Sequence, residues 1–179
     1  EQTHAELSGI ESRNVGQPAM VARDEVPLAA DNLRFFAGAA RNLEGKSAGE
    51  YIKGYTSMIR REPIGIVAGI CPWNYPLMMA IWKMGPGLAA GNVQILKPAE
   101  QTPLSLLRFM ELAADAIPAG VLQTVTGDGV PTGERLVTHP DIGLVSLTGD
   151  VATGKTIART AADTLKRVLQ VSEAFAAEH

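Results

Sequence analysis

The sequence has one cysteine, Cys71, which excludes an intramolecular disulfide and any zinc site built on cysteines. Its three histidines, His4, His139 and His179, lie too far apart for a local metal motif, so no metal is expected. No apolar run approaches the roughly eighteen residues of a membrane span, and no membrane partner is expected. Positive charge is not in excess: 16 Lys and Arg stand against 19 Asp and Glu, for a net charge of −3. Binding to a phosphate backbone needs clustered Lys and Arg, so no nucleic-acid partner is expected. There is no internal repeat and no low-complexity segment. The first residue is Glu1 and no signal-peptide pattern follows it, which leaves open a missing natural start. What is present is a chain of 179 residues, 46% of them hydrophobic, enough for a sizeable core. A soluble, cytoplasmic globular chain is the expectation.

The pattern changes at Pro63. Before it, a short helix is expected over about Thr3 to Arg13, ended by the turn signal Asn14-Val15-Gly16-Gln17-Pro18. Ala29, Leu33, Phe36, Ala37 and Ala40 recur at spacings of three and four, which predicts an amphipathic helix from about Val21 to Asn42. Pro27 sits near its start or kinks it. Between Gly45 and Glu62, Tyr51, Tyr55, Ser57 and Ile59 alternate with polar residues and suggest a strand with one half-covered face.

After Pro63 strand and helix alternate four times. Ile64 to Ile70 is apolar throughout, as in a strand buried on both faces. A helix from Leu77 to Ala90 ends at Gly91, then Asn92 to Lys97 forms a second strand. Thr102 can cap and Pro103 can open a helix running to about Ala116. Val121 to Thr126, a glycine-rich turn and a short helix from Pro131 to Thr138 come next. Leu144 to Thr148 is the fourth strand, followed by a helix from Val151 to about Arg167. This rhythm means an α/β fold, a Rossmann-like parallel sheet with helices on both faces, preceded by N-terminal helices and a β arm. The expected division is residues 1–44 for the helices, 45–62 for the arm, 63–168 for the sheet domain and 169–179 for an atypical tail.

In an open parallel sheet, ligands bind outside the carboxyl ends of the strands, beside helix N-termini. Three segments end strands there: Cys71 to Pro76, Lys97 to Glu100 and Thr148 to Lys155. Lys97 and Glu100 can reach a sugar-phosphate, Lys donating and Glu accepting from ribose hydroxyls; they can equally be a solvated Lys and a helix-start Glu. Gly149 to Gly154 leads into a helix whose free N–H groups favour an anion, although its spacing is not the dinucleotide fingerprint. Gly127, Gly129 and Gly133 come closer to that fingerprint but are interrupted by Pro131, and read mainly as a turn. Asn74 can aim its amide at a developing oxyanion or bond its own turn.

Taken together, in order and spacing, Pro72-Trp73-Asn74-Tyr75-Pro76, Leu88 to Asn92, Leu96 to Leu104 and Ser146-Leu147-Thr148-Gly149 resemble the aldehyde dehydrogenase superfamily, over about Leu7 to Val168. Arg34 to Arg41 with Thr56 to Arg61 looks most like the aminoaldehyde and betaine-aldehyde branch. The resemblance implies oxidation of a small-molecule aldehyde to an acid with NAD, or NADP, through a thiohemiacetal on a Cys and hydride transfer to the nicotinamide. By it, Asn74 resembles the oxyanion donor, Lys97 and Glu100 the ribose-binding pair, and Pro72 and Trp73 the nicotinamide side. Gly129 resembles a close backbone approach near the adenine, and Thr148 and Gly149 the turn under the pyrophosphate. The charge of Glu100 would oppose a 2′-phosphate and so favour NAD. The segment Gly45 to Glu62 resembles the arm that builds the family's oligomers, which implies a homo-oligomer.

Three departures stand out. After Lys166-Arg167-Val168 the family continues Glu-Leu-Gly-Gly-Lys, whereas this sequence reads Leu169 to His179 and stops. The general-base Glu, the nucleophilic Cys and the catalytic domain are therefore not expected in it, and Cys71 reads as a small buried hydrophobe. Second, Asp150 stands where the family usually has a Ser that meets the pyrophosphate. Like charges about 4 Å apart cost roughly 4 kcal/mol at an effective dielectric near 20, several hundred-fold in affinity; Asp150 also makes a good N-cap. Third, Gln94 occupies a position in the second strand where an apolar residue is usual. The expected function is a truncated NAD(P)-dependent aldehyde dehydrogenase retaining the cofactor-binding part, inactive alone. The alternatives are a non-catalytic nucleotide-binding or interaction module, its tail from Ser172 to Glu178 forming a helix, or an inactive fragment.

Overall fold

A computed structural model describes residues 2–47 and 49–172. Helix α1 (Gln2–Val15) and helix α2 (Ala19–Ala39) pack against each other, and α2 ends in a 3-10 turn over Ala40–Asn42. Pro27 lies inside α2, where its missing N–H frees the carbonyl of Arg23. The His4 ring takes up that carbonyl through Nε2 at 2.8 Å, so a residue of α1 repairs the gap.

The arm is not one strand. Strands β1 (Lys46–Ser47) and β2 (Met58–Ile59) pair antiparallel with each other, with a bridge between Ile52 and Tyr55 at the tip. Gly54, at φ +85°, turns the chain back where the alternating pattern suggested an unbroken extended run. Nor is its face half-covered: Tyr51, Tyr55, Met58 and Ile59 are all exposed.

The sheet follows: β3 (Ile66–Ile70), α3 (Pro76–Ala89), β4 (Val93–Lys97), α4 (Leu104–Ala113), β5 (Leu122–Thr124), a turn over Gly129–Gly133, α5 (Glu134–Thr138), β6 (Ile142–Gly149), α6 (Val151–Ala162) and β7 (Arg167–Ser172). The strands run parallel in the order β5-β4-β3-β6-β7. Helices cover both faces, as the alternation of elements predicts. On one face Leu77, Ala80, Ile81 and Met84 of α3 meet Leu96, Leu106 of α4, and Leu7 and Ala29 of α1 and α2. On the other, Leu136 and Val137 of α5 and Ile157 and Ala161 of α6 pack on Ala68, Val145 and Leu147.

Two expectations for the sheet need correction. The last helix stops at Ala162, and Arg167–Ser172 forms a fifth strand beside β6. The break comes at Leu165, which takes the left-handed conformation (φ 53°) usually left to Gly or Asn, so no residue type marks the helix end. The boundary expected between residues 168 and 169 thus falls within β7, and Ser172 ends that strand; the rest of the helix expected for the tail lies outside the described residues. Thr102 does not cap α4. Its hydroxyl donates to the carbonyl of Trp73 at 2.9 Å, and the N–H of Leu104 goes instead to Oδ1 of Asn14, from the end of α1, at 3.1 Å.

Gln94 is fully buried, and its Nε2 donates to the carbonyl of Lys83 at 3.1 Å while Oε1 has no partner. It fits because Gly87 of α3 lies over it; a Cβ there would run into the Gln94 amide. Asn92 fastens the same corner: Oδ1 accepts from the N–H groups of Ile64 and Gly65, and Nδ2 donates to the carbonyl of Gly87.

Candidate functional site

In this strand order β3 and β6 are neighbours, yet the chain leaves β3 toward α3 on one face and β6 toward α6 on the other. That reversal opens a crevice at their carboxyl ends, where doubly wound sheets bind ligands. The register sets Ile70, Lys97 and Leu147 level with one another at its edge.

On the α5/α6 side lies a cavity of about 430 Å³, within the roughly 300–1,000 Å³ usual for ligand clefts. Ile70, Val130, Val137 and Ile157 give it apolar walls, Gly129 and Gly133 bring backbone to its surface, and Lys97 reaches its base. Gly127, at φ +138°, starts the turn that shapes it, and a Cβ there would strike the Thr132 hydroxyl. Lys97 is buried, not solvated. Its Nζ donates to the carbonyl of Pro98 at 3.0 Å and lies 3.5 Å from Oε2 of Glu100, which is half exposed.

Asp150 caps α6. One carboxylate oxygen accepts from the N–H of Thr153 at 2.9 Å and the other from its hydroxyl at 2.5 Å. These bonds hold the Asp150 carboxyl below its usual pKa, so a fixed negative charge occupies the helix end that would otherwise favour an external anion. Thr148 turns its hydroxyl to the opposite face, where Nζ of Lys83 donates to it at 2.6 Å. Gly69 opens that lane: a Cβ on it would stand 2.7 Å from Cδ2 of Leu96 and 3.2 Å from Cδ of Lys83. Gly149 carries the turn from β6 into α6.

The segment after β3 is held at several points. Cys71 donates its N–H to the carbonyl of Lys97, Pro72 is buried, and Trp73 is largely exposed. Oδ1 of Asn74 accepts the N–H of Tyr75 at 3.0 Å. That bond assigns the amide's orientation, because only its oxygen can accept, and it leaves Nδ2 as a donor with no partner among the described residues. Burial pushes the Cys71 thiol up to about 11, partly offset by the positive charges of Lys83 and Lys97. It is a core residue, not a nucleophile.

The 430 Å³ cavity therefore gathers Lys97 and Gly129, with Glu100 reached only through its contact with Lys97 and Asp150 capping the helix that walls it. Trp73 and Asn74 lie elsewhere, beside a second cavity of about 300 Å³ against the α1–α2 turn. Thr153, within the segment Thr148 to Lys155, lines the cavity from α6 together with Thr156 and Thr160, which sequence reasoning passed over. Their spacing of three and four was the available signal. It also passed over Lys83, detectable as a cation inside an otherwise apolar helix.

The profile of the aldehyde dehydrogenase family matches residues 1–171. The chain belongs to the aldehyde dehydrogenase family. It is 44% identical over 163 residues to a probable aldehyde dehydrogenase of Streptomyces coelicolor, an alignment covering 90% of this chain and 32% of that protein. Among solved structures, an NAD+ complex of an aldehyde dehydrogenase from Bacillus cereus superposes with a TM-score of 0.92 at 40% identity, over 96% of this chain and 35% of the other. A betaine aldehyde dehydrogenase double mutant from Staphylococcus aureus, in complex with NAD+, gives 0.91 at 32% identity over 94% of this chain and 34% of the other. The chain thus spans about a third of the length of the aldehyde dehydrogenases it matches. No helix among the described residues is long and apolar enough to cross a membrane.

Proposed function

We propose that this chain supplies the cofactor-binding part of an NAD(P)-dependent aldehyde dehydrogenase that oxidises a small-molecule aldehyde to a carboxylic acid, with NAD preferred. The observation that carries the reading is the crevice at the β3/β6 reversal, with its apolar cavity and the buried Lys97 next to Glu100. The residues present fit a dinucleotide. The apolar slot between α5 and α6 suits a purine, and Gly129 and Gly133 allow backbone to approach it. Lys97 supplies donors and Glu100 an acceptor for ribose hydroxyls. The 2′-phosphate of NADP would meet the Glu100 charge, which is the ground for preferring NAD.

When bound, NAD supplies the hydride acceptor. Asn74, beside the second cavity, would present Nδ2 to a developing oxyanion, its Oδ1 being held by Tyr75. Pro72 and Trp73 would flank the nicotinamide, and the backbone at Gly149, where β6 ends, would lie beneath the pyrophosphate. Thr148 is a strand residue whose hydroxyl faces the other way, so the turn expected there begins only after it. Asp150 weakens the pyrophosphate subsite. The several hundred-fold penalty expected for it took like charges about 4 Å apart at an effective dielectric near 20. In the structure the carboxylate is exposed and bound to Thr153, so solvent screening brings the penalty down to about fivefold. The resemblance assigns the nucleophile and general base to no residue of this sequence. The β1–β2 hairpin, with Tyr51, Tyr55, Met58 and Ile59 outward, would join copies of the chain into a homo-oligomer, in the cytoplasm.

Calorimetric titration with NAD and NADP, alongside the mass in solution by light scattering, tests this reading. Saturable binding with NAD tighter, lost in Lys97→Met, is the expected result. A folded chain that binds neither cofactor up to millimolar concentration overturns it.

A further inference from the structure

Helix α3 begins without a local cap. Tyr75 stands at its N-cap position with no side-chain hydrogen bond, and Pro76 has no N–H to offer. The next two N–H groups, of Leu77 (buried) and Met78 (partly buried), lie at the junction with α1 and α2 and need acceptors. They find two carboxylates from elsewhere in the chain. Oε1 of Glu11, from α1, accepts from Leu77 at 3.0 Å, and Oε1 of Glu25, from α2, accepts from Met78 at 3.3 Å. Glu11 is fully buried and Glu25 nearly so.

Among the described residues no cation acts on Glu11. From α2 comes Glu25, a like charge whose other oxygen is taken by Nε2 of Gln17 at 2.9 Å. From α3 comes the positive end of the helix, with no acidic residue in its first turn. From α4 comes the Ser105 hydroxyl, fully buried, while Arg108 further along is engaged by Glu6 and Glu111 at the surface. Oε2 of Glu11 and Oγ of Ser105 are both buried without a hydrogen-bond partner among the described residues, and the nearby Ser105 hydroxyl only partly offsets the rise of the Glu11 pKa. Desolvation, with the Glu25 charge second, lifts the Glu11 carboxyl to about 7, and desolvation lifts Glu25 as well.

What the two carboxylates hold is the end of the Cys71–Tyr75 segment. That segment is pinned to β4 by Cys71, at its middle by the Thr102 hydroxyl on Trp73, and at its far end by the start of α3. We propose that Glu11 and Glu25 are positioning residues for the Trp73–Asn74 turn, a clasp on the first turn of α3 that fixes where the Asn74 amide points. The inference rests on the role proposed above for Asn74. When the second carboxylate ionises, the like charges separate and the turn moves with the helix end.

The test uses the chain with Trp82→Phe, which leaves Trp73 as its one tryptophan. Trp73 fluorescence is followed from pH 5 to 9. A transition with a midpoint near pH 7 is expected, abolished by Glu11→Gln, which keeps the acceptor but not the charge. In Glu25→Gln the midpoint moves to lower pH, because the repelling charge is gone; this reading stands even if the Glu11 variant fails to fold. A flat profile in the parent, or one unchanged by both substitutions, overturns the clasp. NAD titration of the same protein judges the cofactor reading separately, since loss of cofactor binding leaves the pH profile of Trp73 intact.

Discussion

Helices α3 and α6 both start at the carboxyl edge of the sheet, on either side of the same crevice, and both have carboxylates on their first N–H groups. α6 is capped by its neighbour in sequence, Asp150, exposed to water and bound twice by Thr153. α3 is capped by Glu11 and Glu25, reached across 66 and 53 residues of sequence and sealed from water. The same chemistry gives opposite shifts. Hydrogen bonds from Thr153 lower the Asp150 carboxyl, whereas at Glu11 desolvation outweighs the bond from Leu77 and the carboxyl rises to about 7. A helix dipole attracts negative charge at both sites; burial decides whether the charge is kept.

The sharpest way to break this contrast is Glu11→Ala, which strands the Leu77 N–H and leaves a void. A loss of about 3–4 kcal/mol in stability at pH 6 is expected from denaturant unfolding. Next comes the pH dependence. Glu11 binds its proton more tightly folded, to about 7, than unfolded, near 4.5. Its contribution is therefore complete below pH 4.5 and falls as pH rises to 7, by roughly 3 kcal/mol. Glu11→Gln should flatten that slope and be more stable than the parent above pH 7. Asp150 behaves in the opposite sense: its contribution is present above its usual value of 3.8 and is lost as pH falls further. Removing that cap by Asp150→Ala should cost about 1 kcal/mol. Asp150→Ser keeps a cap, so stability should hold while NAD binding tightens about fivefold by calorimetry. The smallest effect concerns the thiol in the core beside α3. Cys71 should resist a thiol reagent at pH 8 in the folded chain and react once it is unfolded.

The contrast also separates what was legible in the sequence from what was not. Asp150 was read as an N-cap because a cap lies three residues before the N–H it accepts from, within one local pattern. Glu11, Glu25 and Asn14 act on helix ends far along the chain, and no spacing rule connects them. The strand–helix rhythm after Pro63 was legible because Ile64 to Ile70 and Leu77 to Ala90 are apolar and well punctuated. β7 was hidden because Leu165, not Gly, ends α6. The pairing of β1 with β2 was hidden because an exposed hairpin has no buried face to set its period. For the candidate site, the positions of Lys97, Glu100 and Asn74 at strand ends followed from periodicity. That Lys97 is buried, or that Asn74 keeps its Nδ2 free, needed coordinates.

The central strand has a consequence for biosynthesis. β3 lies in the middle of the sheet but is the first of its five strands to leave the ribosome, and only β4 follows it soon. Its other edge, from Ile66 to Ile70, stays without a partner until β6 emerges more than two helices later. At about 5–20 residues per second, that apolar edge is open for several seconds in each nascent chain. During that interval its unpaired backbone N–H and C=O groups are open to pairing with other chains.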